Sequence, residues 1–183
     1  MKVILASQNQ HKLVELSAIL SQLGFEIALE SEYGLHVDVD ETGTTFEENS
    51  LLKAEAVMKA SGMPVLADDS GLMVDALDGA PGVHSARYAS DGHDFAANNR
   101  LLLKNLEGAE NRRARFRTVI SLILGGEEHL FEGVVEGRII DREAGHEGFG
   151  YDPLFIPDGY AKTFAEMTTD EKNAVSHRAR AVR

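Results

Sequence analysis

The sequence predicts an α/β fold built as one unit. Three observations lead there. The N-terminus reads strand, turn, helix, strand; a second, capped helix precedes a short apolar strand; and two long strand-like runs meet at a glycine pair.

Lys2 to Ala6 is an apolar run suited to a buried strand, and Ser7-Gln8-Asn9-Gln10 is the turn after it. Leu13, Leu16, Leu20 and Leu23 then recur as one face of a helix, with Gly24 as its C-cap. Phe25 to Leu29 resumes as a strand, and Val37 to Glu41 alternates briefly. Thr44 with Glu47, or Thr45 with Glu48, forms a capping box for a helix to about Ser61. Gly62-Met63-Pro64 stops that helix. Val65-Leu66-Ala67 is the next strand, and it delivers Asp68-Asp69-Ser70-Gly71 at its C-terminal end.

Residues 78–82 read as a turn, and Asn98 to Leu106 as a helix. Arg115 to Leu124 and Leu130 to Ile140 read as paired strands around Gly125-Gly126. Gly145 to Gly150 leads into Tyr151-Asp152-Pro153 as a loop, and Thr168 with Glu171 caps a last helical stretch. With 183 residues and no repeat or linker-like shift, the chain is expected to form a single domain over 1–183.

Composition narrows the function classes. The absence of cysteine excludes disulfides, thiolate metal sites and Cys nucleophiles. The apolar run after Met1-Lys2 is too short for a signal peptide, and no stretch is apolar enough to span a bilayer; a cytoplasmic address is expected. A net charge of −12 argues against a nucleic-acid binder, which needs a basic face. Arg113, Arg115 and Arg117 alternate with period two, which suits one solvated strand face better than a nucleic-acid patch. A small polyanion remains possible, given local cations and a metal.

Five constellations carry chemistry. Ser7-x-Asn9-x-x-Lys12 opens a helix, where free N–H groups, polar side chains and a cation suit phosphate, although the glycines of a Walker A loop are missing. Asp68-Asp69 offers hard oxygens of the kind Mg²⁺ takes beside phosphates and water. Glu41, after Asp38 and Asp40, is a candidate third ligand. Gly148-Phe149-Gly150-Tyr151-Asp152 frees an aromatic ring to stack on a base, with Asp152 able to accept from a ring N–H. Lys172 and Ser176-His177-Arg178 form the last. On one unbroken helix Lys172 and His177 would stand about 140° apart, so their convergence requires a break near Ala174-Val175 with Ser176 as a new N-cap. Each has a plainer reading: an ordinary N-cap, a turn-forming Asp pair, a solvated acidic edge, aromatics plugging a core, a basic helix end.

In their order, these segments resemble the inosine triphosphate pyrophosphatase family, also called dITP/XTP pyrophosphatases. The matching pieces also include residues 41–49, Leu52-Lys53-Ala54, Ser85-Ala86-Arg87-Tyr88 and Glu171-Lys172. The resemblance implies an elongated two-lobed body, with a long mixed β-sheet flanked by helices and an active-site cleft between the lobes. It implies a homodimer; from charge and hydropathy, neither nucleic acid nor membrane is expected as a partner. It also implies Mg²⁺-dependent hydrolysis of ITP, dITP and XTP to the nucleoside monophosphate and pyrophosphate, which keeps deaminated purines out of DNA and RNA. Asp69 is then the catalytic residue, with Asp69, Glu41 and Asp68 around the metal. Ser7, Gln8, Asn9, Gln10, His11, Lys12 and Lys53 take the phosphates. Ser70, Arg87, Phe149, Gly150, Tyr151, Asp152, Lys172, His177 and Arg178 meet the rest of the substrate, with His177, Arg178 and backbone N–H groups donating to the 6-oxo group. The rivals are a nucleotide sensor without turnover and an enzyme that removes the terminal phosphate.

Overall fold

A computed structural model of the chain describes residues 2–7, 9–35, 37, 43–90, 94–147 and 149–181. The elements run β1 (Lys2–Leu5), α1 (Gln10–Leu20), β2 (Glu26–Leu29), α2 (Phe46–Ser61), β3 (Val65–Val74) and α3 (Phe95–Asn105). They continue with β4 (Arg113–Leu124), β5 (Glu127–Ile139), β6 (Phe155–Pro157), α4 (Thr169–Val175) and α5 (His177–Ala181). The strands form one mixed sheet in the order β2-β1-β3-β4-β5-β6. β1 pairs in parallel with β2 and β3, while β6 runs antiparallel to β5. The α/β expectation holds.

The chain divides into two compact units. The first holds Met1–Asp69, Thr118–Gly133 and Arg178–Arg183; the second holds Ser70–Arg117 and Val134–His177.

In the first unit the sheet is covered on both faces, and strand alternation sorts the side chains. Val3, Leu5, Leu66 and Ile120 pack with Leu16 and Leu20 of α1. Their neighbours Ile4, Ala6, Val65, Ala67 and Ile123 pack with Ala54 and Val57 of α2. Burial on both sides explains why β1 and the start of β3 read as unbroken apolar runs. Each fully buried aliphatic side chain here contributes about 1.5–3 kcal/mol.

Helix ends follow the local chemistry. Asn9 caps α1, and Gly24 closes the turn after it at φ 86°. At α2 the second of the two capping pairs is used: the Thr45 hydroxyl accepts from the Glu48 amide at 3.1 Å. The Glu48 carboxylate accepts from the Thr44 amide at 2.9 Å. α3 starts earlier than its apolar pattern suggests, because Asp94 caps it by accepting from the Ala97 amide.

One boundary is corrected. β3 does not end before the aspartates but runs through Asp68 and Asp69 to Val74. Beyond the acidic pair, Leu72 and Val74 are wholly buried in the core of the second unit. Burial downstream therefore carries the strand past two residues that read locally as a turn. The same core takes Leu102 and Leu106, together with an aromatic group of Phe116, Phe155 and Phe164. Among the described residues, no helix is long and apolar enough to cross a membrane.

Candidate active site

Within the first unit, β3 presents its two aspartates to opposite sides. Leu66 belongs to the α1-facing cluster and Ala67 to the α2-facing one, so alternation sends Asp68 toward α1 and Asp69 toward α2. The contacts agree. Asp68 Oδ1 lies 2.7 Å from Lys12 Nζ of α1, and Asp68 Oδ2 accepts from Arg178 Nε at 2.6 Å. Asp69 Oδ1 lies 3.7 Å from Lys53 Nζ of α2. Lys53 also donates to the Asp68 carbonyl at 2.7 Å, which brings its charge to the middle of the pair.

Asp68 is buried, yet it is held ionised. Burial pushes its carboxyl up, but the charges of Arg178, Lys12 and Lys53 overcome that and hold it well below the usual carboxylate range. The Thr118 hydroxyl, wholly buried on β4, donates to Asp68 Oδ2 at 3.3 Å. Arg178 is only 3% exposed and divides its donors, with Nη1 on Glu15 Oε2 at 2.7 Å. Burial opposes its charge, but Asp68 and Glu15 more than restore it, so the guanidinium is held more firmly protonated than an ordinary arginine. For Lys12, burial and the nearby Lys53 and Arg178 outweigh Asp68 and lower its pKa.

Two expectations change. The sequence predicts that free amides of α1 meet phosphate, but Asn9 Oδ1 accepts from the His11 amide at 2.9 Å and the Lys12 amide at 3.3 Å. Ser7 Oγ in turn accepts from the Asn9 amide at 2.9 Å. Asn9 and Ser7 thus build an ordered N-cap, with Gln10 and His11 exposed beside it. Arg178 is the second case. Its guanidinium lies between two buried carboxylates, Asp68 and Glu15, a pairing that the sequence does not predict.

The second unit gathers the other predicted residues. α4 ends at Val175, Ser176 is extended (ψ 160°), and α5 starts at His177; this is the expected break. His177 is buried, and its ring stacks on Phe116 with centroids 4.9 Å apart. Lys172 Nζ lies 2.6 Å from Asp152 Oδ2, with both side chains almost wholly buried. The same ammonium sits 5.1 Å from the Phe149 ring centre and 5.6 Å from that of Phe164. Asp152 Oδ2 also accepts from the Phe149 amide at 3.1 Å. Asp152 therefore ties the half-buried Phe149 to Lys172.

Tyr151 points inward, donating to the Ser85 carbonyl at 2.7 Å, and burial pushes its phenol pKa up. Ser85 Oγ accepts from the Leu72 amide and donates to the Gly82 carbonyl, which anchors the 3₁₀ turn Gly82–Arg87. Arg87 closes that turn half-buried, as Ser70 and Gly150 also are. Two of the three alternating strand arginines pair with acids: Arg113 with Asp158 at 2.6 Å, and Arg115 with Glu136 and Asp75.

Gln8, Glu41, Gly148 and the Asp38–Asp40 run lie outside the described residues. Among the described residues, no group of three or more Asp, Glu or His is gathered as a metal cage. Sequence reasoning missed Glu15 and Thr118. Glu15 carries a signal in hindsight, because it stands beside Leu16 on the packed side of α1, where an unpaired acid would be costly. Thr118 carries none; its neighbours Val119 and Ile120 make it look like any strand residue.

The model of the Ham1 family matches residues 3–183. A dITP/XTP pyrophosphatase from Exiguobacterium sp. (strain ATCC BAA-1283 / AT1b) is 50% identical over 184 residues, covering 100% of this chain and 94% of the relative. A dITP/XTP pyrophosphatase from Listeria monocytogenes serotype 4b (strain F2365) is 47% identical over 185 residues, covering 100% and 91%. The solved structure of a HAM1 protein from Coxiella burnetii is similar with a TM-score of 0.88 and 41% identity, covering 100% of this chain and 94% of that one.

Proposed function

Because the chain belongs to the Ham1 family, we propose that it hydrolyses ITP, dITP and XTP to the nucleoside monophosphate and pyrophosphate. Its role is then to clear deaminated purine nucleotides before they enter DNA or RNA. The observation that carries this reading is the division of the acidic pair, with Asp68 clamped by Lys12 and Arg178 and Asp69 left on the other face beside Lys53.

A charge count supports a metal-borne substrate. Lys12, Lys53 and Arg178 only balance Asp68, Asp69 and Glu15, so a triphosphate arriving alone would meet little net positive charge. Mg²⁺ commonly takes one or two carboxylates plus substrate phosphates and water. Asp69 fits that mode, and Glu41, which lies outside the described residues, would supply a second carboxylate, with Asp68 in support. The ion would neutralise the developing charge on the phosphate oxygens.

In the reaction itself, Asp69 orients a water and takes its proton. The water oxygen bonds to the α-phosphorus, the bond from that phosphorus to the α–β bridging oxygen breaks, and pyrophosphate leaves with the electron pair. Lys53 and Lys12 supply charge toward the phosphates, with Ser7 and Asn9 shaping the helix start. Phe149 stacks on the purine, its ring set by Asp152 and Lys172. Donors to the 6-oxo group reject adenine, which would leave them unpaired. We assign that task to backbone N–H groups together with His177, and give Arg178 the positioning of Asp68. The enzyme is proposed to act in the cytoplasm as a homodimer.

The test is steady-state turnover of ITP, XTP, GTP and ATP with Mg²⁺. Efficiencies for ITP and XTP at least about a hundredfold above ATP are expected, together with loss of turnover on chelation. Equal rates on ATP would remove the base-reading part of the proposal, and turnover that survives chelation would remove the metal.

A further inference from the structure

Helix α3 holds two consecutive asparagines, Asn98 and Asn99, that are 2% and 3% exposed. Asparagine is a poor residue for a helix interior, and two buried amides in a row need a reason beyond packing. Each has specific partners. Asn98 Oδ1 accepts from the Ala89 amide at 2.8 Å, and its Nδ2 donates to the Ala86 carbonyl at 3.0 Å. Asn99 Nδ2 donates to Glu143 Oε1 at 2.8 Å and to the Gly150 carbonyl at 3.1 Å.

Successive helix residues point about 100° apart, so the two amides reach different segments. Asn98 brackets Arg87 through residues 86 and 89. Asn99 joins residues 143 and 150, the two ends of the loop that carries Phe149. Phe95, one turn earlier on α3, packs its ring 6.1 Å from that of Phe149.

The chemistry requires an amide at position 99. A single NH₂ group carries two donors, and both acceptors are oxygens; a carboxylate there would repel them. The opposite atom, Asn99 Oδ1, is buried and accepts no hydrogen bond among the described residues. The position therefore sacrifices one end of the side chain to use the other.

We propose that Asn98 and Asn99 are positioning residues for substrate, Asn98 setting the segment of Arg87 and Asn99 closing the neck of the Phe149 loop. This rests on the proposed nucleotide hydrolysis only for its kinetic half.

Hydrogen exchange followed by mass spectrometry on the ligand-free, full-length protein separates the two roles. Asn99→Asp should speed exchange in residues 143–150 and leave 85–89 as in the wild type; Asn98→Asp should do the reverse. In the same variants KM for ITP should rise about tenfold, the scale of one lost hydrogen bond, with kcat within about threefold. Glu143→Ala opens the same neck from an exposed side chain, so it carries the test if a core variant fails to fold; faster exchange in 143–150 is expected there too. Wild-type exchange and KM in the Asn99 and Glu143 variants overturn the proposal. So does exchange that rises alike in both segments and in α3 for every variant. A wild-type protein inert toward ITP would sink the hydrolysis reading while leaving the exchange result to stand or fall alone.

Discussion

Asp68 and Asp69 are adjacent in β3 but meet different partners, Asp68 accepting from Arg178 Nε at 2.6 Å and Asp69 facing Lys53 Nζ at 3.7 Å. Strand alternation turns what reads as a repelling pair into two carboxylates with separate surroundings. Under the proposed function, Asp68 holds the fold together and Asp69 carries the chemistry.

Asp69→Asn should lower kcat on ITP by about a thousandfold, the range for losing a general base, and leave the unfolding transition nearly unchanged. Asp68→Asn should instead destabilise the fold by about 3–5 kcal/mol, because it strands Arg178 and Lys12 beside a neutral amide. Urea denaturation and steady-state kinetics on the two variants check this. Swapped phenotypes would reverse the assignment.

Glu15 and Arg178 should be energetically coupled across their 2.7 Å contact. A double-mutant cycle of Glu15→Gln and Arg178→Met is expected to give about 1–3 kcal/mol. Additive losses would show that Arg178 depends on Asp68 alone.

How far these contacts could be read from the sequence depends on the physics that sets each one. Leu13, Leu16 and Leu20 announce α1 because a local period suffices, and Thr168 with Glu171 announces the start of α4 for the same reason. The break at Ser176 was legible because Lys172 and His177 could not otherwise share surroundings. The course of β3 through Asp68 was not, since burial of Leu72 and Val74 in a distant core decides it. Nor was the partnership of Arg178 with Glu15, whose residues are joined only by the fold. Local patterns marked the candidate site; long-range pairing set what each residue does in it.

Lys172→Met should destabilise the protein by about 3–5 kcal/mol, because it leaves Asp152 buried without its cation. It should also raise KM for ITP by releasing Phe149, whose amide Asp152 holds. Adding Asp152→Asn should recover part of the stability but not the KM. Isothermal denaturation with parallel kinetics separates the two effects.

Glu171 gives a pH signature. Its pKa lies below the ordinary 4.5, first because the Thr168 amide donates to it and then because of Lys162. A depressed carboxylate stabilises the fold above its unfolded-state pKa, and that contribution disappears as pH falls through its folded-state value. The stability gap between wild type and Glu171→Gln should therefore be present at neutral pH and shrink below about pH 4.5. Denaturant titrations across that range check it, and a gap independent of pH would remove the charge from the cap.

Cleavage of the α–β bridge can be read in the phosphorus-containing products of ITP turnover. Phosphorus NMR of a completed reaction with Mg²⁺ should show one pyrophosphate for each IMP formed and no IDP. Orthophosphate with IDP would mean that the terminal phosphate is removed instead, and would overturn the proposed function.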